Sequence, residues 1–369
     1  MNIRRIAGPL LAVILAVVVG VGIWKSNAKK SETDAAQAEA AAAVTVNLVS
    51  GSESVPFLAD ARVTEILLKQ GIRLTVQKSG SREIAQRTDL AQFDAAFPGG
   101  VPAAEKIKAV TGAKQMVATF YTPMAIASWK QLLPVLEANG LVKKRADNWF
   151  IVDMASLISL MEGGTRWKDL KNNSVFSVSK SILISTTDVR KSNSAAQYLA
   201  LTSWITNDGN VVTTDEEIEK VTPRLIPLFL KQGYQENTSS GPFENYLAMG
   251  MGAVPLVLIY ESQYFEGALR NSAINPDMVL LYPEPTVYSK RIVVPFNAKG
   301  EKFAQILNGD AALQEIAAEY GMRSNNPNLL NNALAVKNLP PAPQLNDVVE
   351  APTFEVLEKM ITRIEAQLK

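Results

Sequence analysis

The sequence predicts a two-lobed α/β protein carried behind an N-terminal transmembrane helix. Three observations carry this expectation. A strand, a Ser-Gly-Ser turn and a helix follow one another twice between Val44 and Glu83. The chain has 369 residues, a length that suggests two lobes or domains. Residues 6–24 are uncharged and apolar, and long enough to span a bilayer.

Arg4 and Arg5 precede the apolar stretch, and Lys25, Lys29 and Lys30 follow it. This nearly balanced charge does not set an orientation by the positive-inside rule. The short N-terminal tail favours a signal-anchor over residues 1–30, single-pass in the inner membrane, with the globular part periplasmic. A cleaved signal peptide is the rival, because Ser26, Asn27 and Ala28 offer the small residues a peptidase needs. The apolar run is longer than the usual signal-peptide core, which argues for the anchor. Residues 31–43 are alanine-rich and polar and read as a tether.

The next elements follow from periodicity. Val44, Val46, Leu48 and Val49 read as a buried strand, and Ser50-Gly51-Ser52 as turn and cap chemistry. Residues 56–68 carry helical spacing. Leu74, Val76 and Lys78 alternate along a second strand that ends in Ser79-Gly80-Ser81-Arg82, with a helix opening at Glu83. Residues 93–97 make a third short strand before Pro98-Gly99-Gly100, and residues 103–110 a short helix. Residues 116–129 contain Pro123 and read as two extended passes joined by a bend, a first lobe crossing.

Farther on, helices are expected over 131–139 and 155–161, and strands over 147–151, 175–179 and 182–186. Polar residues 187–194 lead into a helix over 195–205. Residues 215–231 read as a helix broken or kinked by Pro223 and Pro227. A helix over 243–249, a buried strand over 253–260 and a helix over 261–270 follow. Pro283-Glu284-Pro285 breaks the strand at 278–282 and offers the second crossing. A strand over 292–296 and helices near 301–307 and 311–320 complete the first lobe. Residues 339–343 form a stiff proline linker, and residues 354–368 an amphipathic helix with Phe354, Leu357, Ile361, Ile364 and Leu368 on one stripe. The organisation is thus anchor 1–30, tether 31–43, first lobe 44–124, second lobe 125–284, return to the first lobe 285–338, and linker with terminal helix 339–369.

Composition narrows the function. There are 37 basic and 36 acidic residues, and a net charge of +1 argues against nucleic acid as a partner. Hydrophobic content of 47% is ordinary for a globular chain. Cysteine and histidine are both absent. Cysteine nucleophiles, Ser-His-Asp triads, Cys/His metal sites, disulfides and a lipid-bearing N-terminal cysteine are therefore excluded. A Ser-Lys or carboxylate pair stays formally open as an enzyme, but none can be placed. The expectation is no cofactor, no metal and no catalysis.

The order of elements resembles the type 2 periplasmic solute-binding proteins, the receptors of ABC importers. The resemblance lies in residues 46–53, 74–82, 94–98, 167–170, 192–194, 250–260 and 282–286, and spans about 44–326. Its marks include Trp167-Lys168-Asp169-Leu170 and the ending Tyr320-Gly321-Met322-Arg323. It implies two α/β lobes with a ligand closed between them. Ser52 and Ser81 match the family's first-lobe serine positions, and Ser192, Asn193 and Ser194 its second-lobe helix start. Members bind molybdate, sulfate, phosphate, amino acids, sugars or metal chelates.

Helix starts and glycine turns offer backbone N–H donors to an anion. The candidate ligand residues are Ser50, Ser52, Glu53, Lys78, Ser79, Ser81, Arg82, Asp94, Ser192, Asn193, Ser194, Ser239 and Glu261. Arg82 and Arg190 suit a carboxylate or another anion, and Glu53 an amine or hydroxyl. Each serine could instead only cap its own helix, each charge could pair with a neighbour, and Glu261 could cap the helix it opens. Tyr121, Trp129, Tyr246 and Tyr260 suit stacking on a ligand or plain core packing. The expected function is capture of a small anionic or zwitterionic solute, with an ABC permease or another inner-membrane protein as partner. The alternative is a sensor or scaffold ectodomain that contacts a membrane protein.

Overall fold

The computed structural model describes residues 43–145, 149–230 and 240–367. The expected transmembrane helix and Ser239 lie outside them, as do all of the tether but its last residue. Among the described residues, no helix is long and apolar enough to cross a membrane.

Strand β1 (Val44–Gly51) runs parallel to both β2 (Ile72–Ser79) and β3 (Ala95–Phe97). Side chains alternate across this sheet. Val46, Leu48, Ala95 and Phe97 enter one apolar layer, while Val49 and Ala96 enter the layer on the other face. Burial on both faces is what a parallel sheet requires. Between β1 and β2, the helical pattern splits into α1 (Val55–Leu58) and α2 (Ala61–Lys69). Asp60 causes the break, because its carboxylate accepts the Arg62 N–H and caps α2. After β2 comes α3 (Ser81–Ala85), opening two residues before the expected Glu83, and after β3 comes α4 (Val101–Thr111).

Strand β4 (Val117–Trp129) is continuous through Pro123, not two passes with a bend. Residues 117–123 pair with β9, and residues 124–129 with β7 and β8. Pro123 sits where the partner changes, so its missing N–H breaks no ladder. The second lobe continues with α5 (Leu133–Ala138), β5 (Val142–Lys144), β6 (Phe150–Asp153) and α6 (Met154–Glu162).

Residues 175–179 and 182–186 are not strands. Ile182 and Ile184 are buried as their alternation suggests. Their backbone is held instead by isolated bridges, Arg166 with Ser181 and Ser185 with Val257. Then come α7 (Asn193–Thr206), α8 (Asp215–Leu230) and α9 (Ser240–Met249). α8 is one helix despite Pro223 and Pro227. Pro223 is exposed and Pro227 half-buried, so water can reach the carbonyls they leave unpaired.

Strand β7 (Val257–Tyr260), α10 (Glu261–Leu269), β8 (Met278–Glu284) and β9 (Tyr288–Pro295) follow. The sheet order is β2-β1-β3-β9-β4-β8-β6-β5, with β7 also against β4. β8 belongs to the second lobe and β9 to the first, so the chain recrosses between them. α11 (Ala298–Gly309) and α12 (Ala311–Glu319) close the first lobe, whereas α13 (Pro327–Val336), expected to belong to the return into the first lobe, sends Leu330 and Leu334 into the second-lobe core. Beyond the proline linker, α14 (Phe354–Glu365) lies across both lobes. Phe354 enters a first-lobe layer with Ile84, Ala104 and Ile107, whereas Leu357, Met360, Ile361 and Ile364 enter the second-lobe core.

Candidate functional site between the lobes

The C-terminal ends of β1, β2 and β3 lie side by side and open toward the second lobe. In an open α/β sheet this edge is where ligands bind. Ser81 Oγ accepts the Gly99 N–H at 2.9 Å, which ties the loop after β3 to the start of α3. A Cβ on Gly99 would strike the Arg291 guanidinium, so glycine lets the loop and Arg291 share this space. Gly100 adopts φ of +147°, a left-handed conformation that also favours glycine.

Two second-lobe residues meet this loop. Asn193, the first residue of α7, donates from Nδ2 to Gly99 O and to Tyr260 Oη, the latter at 3.0 Å. Tyr260, the last residue of β7, donates its hydroxyl to Glu53 Oε1 at 3.3 Å. Burial and the neighbouring Glu53 carboxylate push the Tyr260 phenol above its usual range, so it stays protonated. Arg291 on β9 lies over the Tyr260 ring, 5.1 Å from its centre. Its Nη1 is 4.0 Å from Glu53 Oε2.

A cavity of about 330 Å³ sits here, lined among others by Ser52, Glu53, Lys78, Tyr260, Gln263 and Arg291. In its lining, three buried polar atoms have no hydrogen-bond partner: Glu53 Oε2, Arg291 Nε and Arg291 Nη1. Buried polar groups are nearly always paired, so such a cluster marks a place where something else bonds. A larger depression of about 420 Å³ lies between α10, α12 and α13. Two of its charged groups, Arg270 and Glu319, already pair at 3.6 Å, and no such cluster of unpartnered atoms lines it.

The structure sorts the expected ligand residues. Ser52, Glu53, Lys78, Ser81 and Asn193 gather at or beside the cleft. The others among the described residues are engaged elsewhere. Ser50 is fully buried and donates to Gly51 O, and Ser79 bonds to Glu83. Arg82 is taken by Glu358 on α14 and by Val189 O. Asp94 stands at the other end of β3, where it accepts from Asn47 N and Asn297 Nδ2. A Cβ on Gly300 would collide with the Asp94 carbonyl, which shows how closely α11 packs there. Ser192, Ser194 and Thr187 form a buried hydroxyl chain of 2.8 and 2.9 Å contacts. Arg190 pairs with Asp188 and holds that carboxyl below its usual range against the upward push of burial. Glu261 is fully buried against Arg323 and Tyr282 rather than facing the cleft.

Sequence reasoning missed Arg291. Its signal is faint: one arginine leading into Ile292-Val293-Val294, indistinguishable from the solvated start of a strand.

With this geometry in place, comparison with solved structures identifies the architecture. Iron-bound HitA of Pseudomonas aeruginosa aligns with a TM-score of 0.55 at 12% identity, over 88% of this chain and 99% of its own. The periplasmic binding protein AfuA of Actinobacillus pleuropneumoniae, with fructose-6-phosphate bound, gives 0.55 at 10% identity, over 88% and 98%. The apo ferric ion-binding protein A of Pasteurella haemolytica gives 0.53 at 12%, over 88% and 95%. The fold is that of a type 2 periplasmic binding protein. No family model and no curated protein sequence matches the chain.

Proposed function

We propose that this chain is a membrane-anchored, extracytoplasmic solute-binding protein that captures a small anionic or zwitterionic solute between its lobes. The observation that carries the reading is the set of unpartnered, buried polar atoms of Glu53 and Arg291 in a cavity whose other wall includes Tyr260 and Gln263 of the second lobe. A pocket of a few hundred cubic ångströms with a few convergent polar groups suits a small molecule. Neighbours of the same fold hold iron or fructose-6-phosphate, which supports a receptor role and, with it, an ABC permease as partner. The backbone termini at Ser52, Ser81 and Asn193 would contribute donors, with Ser52 Oγ and Lys78 at the cavity wall. Catalysis is not part of the reading. Native mass spectrometry of the full chain purified from its own host is expected to show one co-purified small molecule that unfolding releases. A chain that carries none, and whose melting is unmoved by an extract of the host's growth medium, counts against it.

A second reading has its own observation. α14 binds both lobes at once, which restrains the opening that a transport receptor needs. A scaffold or sensor ectodomain would use the closed form to contact a membrane protein. Recovery of a stoichiometric membrane partner other than a permease after cross-linking would favour it.

A further inference from the structure

Donors and acceptors left over in the cavity specify more than charge. Resting on the receptor reading, we infer that the cleft selects a small zwitterion, with its oxyanion on Arg291 and its cationic donor on Glu53, and rejects fully ionised oxyanions such as sulfate and molybdate. Arg291 is 2% exposed, and two of its nitrogens, Nε and Nη1, lack any partner. A guanidinium cannot shed its proton, so these donors need an acceptor. Glu53 has a side chain 7% exposed, and its Oε2 needs a donor. At 4.0 Å the two groups are too far apart to satisfy each other by a hydrogen bond.

A ligand that completes this set must therefore carry both kinds of group. Sulfate brings acceptors only. It could satisfy Arg291, but its two charges would then sit beside the Glu53 carboxylate in a buried site, where screening is weak. The walls add to the discrimination. Glu53, Glu244 and Glu266 line the cavity against Lys78 and Arg291, so carboxylates outnumber cations. Of the cations, Lys78 is exposed at the surface and only Arg291 is buried.

The test is calorimetric titration of the full chain with sulfate and, one by one, with the standard L-amino acids. The wild type is expected to bind at least one amino acid and not sulfate. Glu53→Gln keeps the shape and the Tyr260 contact but removes the charge. It should gain sulfate affinity by on the order of a hundredfold and lose affinity for the amino acid by a similar factor. Arg291→Lys should lose the gained sulfate binding when added to Glu53→Gln. If Glu53→Gln melts well below the wild type, Glu53→Ala with the same titrations replaces it. Wild-type binding of sulfate as tight as that of Glu53→Gln overturns the zwitterion inference and leaves the receptor reading standing. Binding of neither probe by either protein also overturns it. The receptor reading is then judged separately, by the co-purified solute.

Discussion

Glu261 is fully buried, and three bonds hold its carboxylate: two from Arg323, at 2.6 and 2.7 Å, and one from the Tyr282 hydroxyl, at 2.6 Å. Burial, together with the charge of Glu261, pushes the Tyr282 phenol well above its usual range, so it remains a donor. Arg323 also donates to Pro343 O in the linker and shares a two-way backbone bridge with Tyr121 in the first-lobe half of β4. The pair thus pins the start of α10 to the hinge. Removing one partner of a buried pair leaves an uncompensated charge and costs about 3–5 kcal/mol. Arg323→Met is therefore expected to lower the unfolding free energy by about that much in urea titration. Replacing Glu261 and Arg323 together by methionine should cost less than the single change. A single-variant loss under about 1 kcal/mol, the range of exposed pairs, would mean that water reaches the carboxylate. The residue pattern showed that Glu261 follows a buried strand. It could not show that Arg323, sixty-two positions away, would come to meet it.

At the scale of elements, α14 is the least ordinary part of the fold. Thr353 Oγ1 accepts the Val356 N–H at 3.4 Å and starts it, and an apolar stripe then runs its length. That stripe was legible in the sequence; its docking surface was not, because helical period reports an apolar face and not what covers it. The flanking charges sort by lobe. Glu355 and Glu358 bond to Lys106 and Arg82 on the first lobe, and Lys359 and Arg363 to Asp215 and Glu219 on the second. The same limit explains residues 182–186, where alternation reported buried side chains correctly but could not supply a neighbouring strand. Apolar contact should outweigh these charges. Phe354→Ala empties a packed first-lobe site and is expected to cost about 3 kcal/mol. Lys359→Ala removes a pair whose side chains are 54% and 67% exposed, and should cost under about 1 kcal/mol. Urea unfolding of both variants checks the order, and equal losses would mean that α14 is held mainly by its ion pairs.

For the molecule as a whole, coupling between lobes is the governing property. The two lobes share β4, whose first half pairs with β9 and whose second half pairs with β7 and β8. The doubled strand-turn-helix unit made the first lobe and its cleft edge readable, since β1 and β2 each bury their own pattern. Asn193 and Tyr260 were readable as candidates, but their meeting with Arg291 was not, because the three come from separated segments that only the closed sheet order brings together. Strand sharing alone leaves each lobe its own apolar layers, so it couples them weakly. α14 adds a second link by placing side chains in both cores. The full chain is therefore expected to unfold in one cooperative transition, with calorimetric and van't Hoff enthalpies in agreement. A chain ending at Asn338 loses this link and should unfold in two steps, the calorimetric enthalpy exceeding the van't Hoff value. Its radius of gyration in solution scattering should also rise, because Arg82 loses Glu358 and keeps only Val189 O across the lobes. A shortened chain that still melts in a single step at unchanged radius would show that β4 and the cleft contacts hold the lobes together without α14.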